Sequence, residues 1–184
     1  TMRLGADVIV FSRCQGASGS GPSQSIGMLS YTFLRETGQQ DIIVPMIDYE
    51  IHPFGLRKLV RRNVEDWSKN MESIQRWSPY STETELLSQF SEMKSQGTKI
   101  VIFNLWEDDQ GQLELDFETN RYDIQVRSNR DEKKILMVEK YPHSRHYLTY
   151  QHSLRIYASI LYLKLPPGFR MFLRGKEIEH HNII

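Results

Sequence analysis

Thr1-Met2-Arg3-Leu4-Gly5-Ala6-Asp7-Val8-Ile9-Val10-Phe11-Ser12 is the stretch on which the reading of this chain turns. Its second half, from Asp7 to Ser12, is rich in β-branched and apolar residues and predicts a strand. No leader or capping element precedes that strand, so the chain is expected to continue a fold whose earlier elements are encoded upstream. After the strand, Gly16-Ala17-Ser18-Gly19-Ser20-Gly21-Pro22-Ser23 has the composition of a surface loop. Ser25 is placed to cap a helix carrying Ile26, Leu29, Phe33 and Leu34, stopped by Gly38. Ile42-Ile43-Val44-Pro45-Met46-Ile47-Asp48-Tyr49 predicts a second strand, with Pro45 at an edge or a bulge.

Further along, Leu56, Val60, Val64, Trp67, Met71, Ile74 and Trp77 recur every three or four positions. That spacing predicts one long helix with a continuous apolar stripe, ended by Pro79. Thr82 and Glu85 have the spacing of a capping box, opening a helix with Leu86, Leu87, Phe90 and Met93 inward and Gly97 at its close. Lys99-Ile100-Val101-Ile102-Phe103-Asn104-Leu105 predicts a buried strand. An acidic turn, Glu107 to Gly111, leads to alternating stretches at Leu113–Phe117 and Ile124–Arg127. Residues 128–150 give no regular pattern. Leu154 and Tyr157 predict a short helix, Ser159 to Leu163 a buried strand, and Pro166-Pro167-Gly168 a turn. Phe169 to Arg174 returns antiparallel, with Gly175-Lys176 as a tight corner.

The composition sets bounds on function. The 184 residues are 39% hydrophobic and 25% charged, with 23 basic and 23 acidic side chains, so net charge argues for neither nucleic acid nor membrane. The charge is uneven: Arg57, Lys58, Arg61 and Arg62 are clustered, whereas residues 107–123 hold seven acids against the single base Arg121. A lone cysteine, Cys14, excludes an internal disulfide and a thiolate metal cluster and fits a reducing compartment. No apolar run approaches the roughly 20 residues that span a bilayer. A composition shift across 105–130 marks a domain boundary, giving domains 1–105 and 106–184.

Several constellations carry possible chemistry, each beside a plainer alternative. Gly97-Thr98 heads a strand, where glycine admits a close ligand and the hydroxyl can bond a base or a water. The same pair also reads as a helix C-cap followed by a core strand, which local sequence favours. The basic run 57–62 suits phosphates, or else forms a solvated helix face. His143, His146, His152, His180 and His181 lack the spacing of a metal box, so no metal ligands are assigned. Lys176, at its corner, can project an ammonium toward phosphate, or sit as a solvated turn lysine.

Three blocks together resemble the microrchidia (MORC) group of GHKL-type ATPases, in its plant branch. Thr1 to Phe11 is similar to the end of the third GHKL motif, where the ATP lid meets nucleotide. Gly97-Thr98 with its strand is similar to the fourth motif. His152-Ser153-Leu154-Arg155-Ile156-Tyr157-Ala158-Ser159-Ile160-Leu161-Tyr162-Leu163, followed by Arg174-Gly175-Lys176, resembles the MORC transducer domain. The resemblance implies an α/β fold of α+β type. Residues 1–105 would be a partial GHKL layer of mixed sheet and helices, and 106–184 a ribosomal-protein-like transducer with a crossover helix.

The resemblance also implies a mechanism. ATP, with magnesium, binds the GHKL pocket, a glutamate on an early helix activates water, and a transducer lysine reaches the terminal phosphate. Nucleotide then drives homodimerisation, or heterodimerisation with another MORC protein, closing a clamp on DNA. Carried onto this chain, Thr1 and Met2 belong to the lid, Gly97 and Thr98 lie near the adenine, and Lys176 is the phosphate-sensing, catalytic lysine. The setting implied is nuclear: chromatin compaction, gene silencing and plant defence, with no membrane. The early helix with its catalytic glutamate and magnesium-binding asparagine, and the Asp-Gly-rich second motif, have no counterpart here. The chain alone is therefore expected to be inactive and to bind neither ATP nor magnesium well. A nuclease role has no carboxylate–metal constellation to support it. The competing expectation is a non-enzymatic dimerisation or nucleic-acid-binding module acting through a basic helix at Arg57, Lys58, Arg61 and Arg62. A GHKL chaperone fragment is disfavoured by the Ser153–Tyr157 block.

Overall fold

The structure is a computed structural model describing residues 4–16, 21–127, 140 and 152–181. It divides into two compact units, Thr1–Leu105 and Trp106–Ile184.

The first unit is built on β1 (Gly5–Cys14), β2 (Ser23–Ser30), β3 (Met46–His52), β4 (Gly55–Leu59) and β5 (Gly97–Leu105). They form one sheet in the order β4-β3-β2-β1-β5. Every pairing is antiparallel. Register decides which face is inward. Ile9 lies opposite Met28 and Val101, and Phe11 opposite Ile26, which in turn faces Ile47. The period of two puts all of these on one face. Helices α1 (Tyr31–Glu36), α2 (Val64–Trp77) and α3 (Glu83–Ser88) complete the unit. Ile9, Phe11, Ile26, Met28, Ile47 and Tyr49 from the sheet meet Trp67, Met71 and Ile74 of α2, Leu86 of α3 and Phe90 beyond it. Phe11 is flanked edge-on by Tyr80 and Phe90, each at 5.6 Å. Such rings add attraction beyond the area they bury.

The helix starts follow cap chemistry. Asn63 accepts from the Asp66 amide at 2.7 Å to open α2. The capping box opening α3 is complete: Thr82 Oγ1 accepts from Glu85 N, and the Glu85 carboxylate accepts from Thr82 N, each at 3.1 Å. Each cap satisfies amides that the helix itself cannot.

In the first unit, five expected elements are corrected. Ser25 does not cap a helix, because Ser23–Ser30 alternates buried and half-buried residues as β2 does, and the helix begins only at Tyr31 with Ser30 as its cap. The long helix from Leu56 is not continuous. Leu56 and Leu59 lie on β4, Leu56, Val60 and Val64 are all exposed, and the buried stripe begins at Trp67. Gly55, with φ 133, turns the chain into a β3–β4 hairpin, and the Asn63 cap fixes where the helix starts. The helix expected to run to Gly97 ends at Ser88 and passes into turns in which Phe90, Ser91 and Met93 bond back three residues. The strand expected at Ile42 starts at Met46, after a buried Pro45 that has no amide to pair. Lys99–Leu105 does form a strand, but at the sheet edge, and Ile100 is exposed.

The second unit has smaller elements. Antiparallel β6 (Leu115–Asp116) and β7 (Gln125–Val126) form one ribbon, α4 (Leu154–Ile160) follows, and β8 (Phe172–Leu173) pairs with β9 (Lys176–Glu177). Ser159 and Ile160 belong to α4 rather than to a strand, and Leu161, Tyr162 and Leu163 are exposed. Ser153 sets this helix by accepting from the Ile156 amide at 3.1 Å. Gly168, with φ 77, follows Pro167 in a turn closed by Phe169 N donating to Pro166 O, the sequence chemistry of a type II turn. The α+β class read from sequence is the class of the structure. No helix among the described residues is long and apolar enough to cross a membrane.

Candidate functional site

The second unit presents Lys176 on a tightly built corner. Between β8 and β9, Arg174 and Gly175 both have positive φ, 50 and 77. Two such residues in a two-residue hairpin loop form the turn whose twist matches the strands it joins. A Cβ at Gly175 would meet nothing within 4 Å, so glycine serves conformation there rather than packing. Arg174 tolerates the left-handed region because its Nη1 donates to the carbonyls of Phe117, Asn120 and Asp123.

A second arginine grips the other side. Arg155, on the first turn of α4, donates Nε and Nη2 to Tyr122 O at 2.9 and 2.7 Å. The same guanidinium reaches Leu173 O at 2.8 Å, Lys176 O at 3.3 Å and Glu177 O at 2.9 Å. Its backbone amide donates to the buried Asp123 carboxylate at 2.9 Å, which also accepts from Ser153 Oγ and Ile124 N. Lys176 Nζ sits 5.2 Å from the Tyr122 ring centroid, a cation–π geometry. Lys176, Tyr122, Asn120, Arg155, Ser159 and His181 line a cavity of about 400 Å³. Beside it, the Arg170 guanidinium bonds Glu177 at 2.8 and 2.6 Å and holds that carboxyl below its usual range. Lys176 is thus the cavity cation that faces a ring rather than a carboxylate.

The other sequence-designated residues fall elsewhere. Thr1 and Met2 lie outside the described residues, as do His143 and His146. Gly97 and Thr98 open β5 opposite Arg13 and Ser12, both exposed, and a Cβ at Gly97 would meet nothing within 4 Å. Neither packing nor backbone conformation demands glycine there, and α3 ends too early for Gly97 to be its C-cap.

The basic run is not a helix face. Arg57 and Lys58 are on β4, and Arg61 and Arg62 lie in the connection to α2. Arg57 bonds Glu50 at 2.7 Å, and Arg61 bonds Asp48 in a fork at 2.6 and 3.1 Å. Lys58 lies 4.0 Å over the Trp67 ring. Arg62 has no side-chain partner among the described residues. Two of the four charges are therefore neutralised internally.

Sequence reasoning passed over two clusters. Arg155 and Arg174 stand within the quoted blocks but gave no signal of their own, because a carbonyl-binding role leaves no trace in spacing. In the first unit the buried Asp7 carboxylate accepts from Ser30 Oγ at 2.7 Å, Thr32 N at 3.0 Å, Thr32 Oγ1 at 2.8 Å and Asn104 Nδ2. Burial raises its pKa, and the bonds from Ser30, Asn104 and Thr32 outweigh that and hold it below the usual range. A lone aspartate inside the apolar run Ala6–Phe11 was the available clue. No group of three or more His, Cys, Asp and Glu among the described residues could hold a metal ion.

Residues 152–184 match a family described as Morc6 ribosomal protein S5 domain 2-like. Over its whole length the chain is 62% identical to Protein MICRORCHIDIA 4 and 60% to Protein MICRORCHIDIA 7 of Arabidopsis thaliana, spanning 23% and 26% of those proteins. It is 31% identical, over 97% of its length, to the MORC family CW-type zinc finger protein 3 of Mus musculus, spanning 18% of it. The chain thus spans about a quarter of the length of its plant relatives.

Proposed function

This chain belongs to the MORC family, in its plant branch, and we propose that it forms the downstream part of the ATPase head of a nuclear, ATP-driven DNA clamp. In this reading the clamp compacts chromatin and silences genes, and it closes when nucleotide joins two heads as a homodimer or as a heterodimer with another MORC protein. The first unit contributes the lid-side strand β1 and the adenine-side residues Gly97 and Thr98. The second contributes Lys176, whose ammonium meets the terminal phosphate.

The observation that carries this reading is Lys176 itself: an ammonium on a tight corner, lying over a ring, with no carboxylate bonded to it among the described residues. A cation already neutralised by a carboxylate would have to break that pair before it met phosphate. Lys176 does not, so its charge is free to be used where negative charge gathers during phosphoryl transfer. The residues that activate water belong, in this reading, to other parts of the full-length protein, so turnover is a property of the whole protein.

The test is nucleotide-driven dimerisation of the full-length protein, followed by light scattering with a non-hydrolysable ATP analogue. Wild type is expected to shift from monomer to dimer, and Lys176→Gln to stay monomeric at the same analogue concentration. An identical shift in both would overturn the assignment of Lys176.

A further inference from the structure

We propose that Arg155 is the residue that positions Lys176, acting as a single clamp on both the lysine's backbone and the ring beneath its ammonium. This rests on the reading of Lys176 as the phosphate-facing cation. The geometry behind it is asymmetric. Arg155 spends its N–H groups on four backbone carbonyls and on no carboxylate side chain among the described residues. Two of those carbonyls belong to Lys176 and its neighbour Glu177. A third belongs to Leu173, directly across the hairpin from Lys176. The fourth belongs to Tyr122, whose ring lies under the Lys176 ammonium. One planar group therefore fixes where the lysine leaves the backbone and where its charged end rests.

Guanidinium chemistry explains the choice of residue. Arginine carries five donors in a rigid fork, whereas lysine offers three on one compact ammonium at the end of a flexible stem. Lysine at 155 would keep the charge but could not span carbonyls from the 122 loop and from both strands of the hairpin together. The base of the clamp is stiff as well. Asp123 receives the Arg155 amide and the Ser153 hydroxyl, so the first turn of α4 is tied to the same loop that Arg155 grips. Arg174 repeats the arrangement on the outer side by donating to Phe117, Asn120 and Asp123 carbonyls. Arg174 holds the turn, whereas Arg155 alone touches the lysine's own backbone.

The experiment is a double-mutant cycle in ATP turnover by the full-length protein, using wild type, Arg155→Lys, Lys176→Gln and the pair. Arg155→Lys is expected to lower kcat by about tenfold with KM for ATP changed less than about twofold, because a displaced cation costs the transition state and not ground-state binding. The pair is expected to turn over no more slowly than Lys176→Gln alone. Unchanged kcat in Arg155→Lys, or losses that multiply in the pair, would overturn the proposal. Arg170→Gln, which removes the outer ion pair with Glu177 and the contact over the Phe172 ring, controls for general loosening of the hairpin and is expected to change kcat less than about twofold.

Should Lys176→Gln itself leave turnover intact, the phosphate-facing reading fails, and the positioning claim is then decided by amide hydrogen exchange. Arg155→Lys is expected to speed exchange at residues 120–123 and 172–177 by about tenfold or more, with β1 and β2 unaffected. Exchange at wild-type rates in those segments would overturn the clamp on its own.

Discussion

The two units are held together by different physics. Among the described residues the first buries a cluster of eleven apolar and aromatic side chains, from Ile9 to Phe90, between one sheet and its helices. The second has Ile178 as its sole buried hydrophobic side chain among those residues, beside Asp116, Asp123, Ser153 and Ser159. There the segments are joined by arginine–carbonyl and aspartate–amide bonds. A hydrophobic core is tolerant of direction and costs volume when cut, whereas a polar clasp is directional and costs a buried, unpaired group when cut. The directional unit is the one that presents Lys176, in line with the phosphate-facing role proposed for it.

The contrast is sharpest under truncation. Phe11→Ala, which removes a fully buried ring touching Tyr80 and Phe90, is expected to destabilise the first unit by about 3–5 kcal/mol, read from chemical denaturation of the chain. Asp123→Asn leaves shape intact but weakens acceptance from Ser153, Arg155 and Ile124. Its expected cost is about 1–3 kcal/mol, with faster exchange confined to the second unit. Loss of protection in β1 and β2 as well would break the division of labour.

Acid should also separate the units. Asp116 is held below the usual carboxylate range chiefly by the Thr119 hydroxyl and amide, then by the Glu118 amide and Arg127. A folded-state pKa below the unfolded value of about 3.9 means the stabilisation is complete above that pH and is lost as pH falls through the folded value. Asp116→Asn is expected to flatten the acid limb of the second unit's unfolding, while Asp7 keeps the first unit's acid limb in place.

Much of the first unit was legible because burial leaves a period. The stripe Trp67, Met71, Ile74 and the capping box at Thr82 and Glu85 both read true. Errors arose where two periods overlap: Leu56 and Val60 fit a helical spacing by coincidence, and only the hairpin at Gly55 and the Asn63 cap separate them from α2. Ser25 failed for the opposite reason, since a capping residue followed by Ile26 and Leu29 also fits a strand in which Gln24, Ile26 and Met28 point inward. In the second unit, the corner before Lys176 was legible from its glycine. The arginines that hold it were not, because bonds to backbone carbonyls demand nothing of the partner side chains.

The smallest effects concern the basic run. Lys58 and Arg62 are not paired with carboxylates among the described residues, so Lys58→Glu or Arg62→Glu is expected to reduce the salt slope of DNA binding by about one to two each if this edge meets phosphate. Arg61→Glu should instead loosen the fork to Asp48 and lower the stability of the first unit. Equal effects of all three on the slope would contradict the internal pairing.

The most direct measurement is steady-state ATP turnover by the full-length protein with Lys176→Gln. A fall in kcat of about a hundredfold is predicted, since a lysine that meets the terminal phosphate supports the closed dimer and stabilises the charge that develops there. Turnover within about twofold of wild type would contradict it, and would leave the corner at Arg174-Gly175-Lys176 as a structural turn alone.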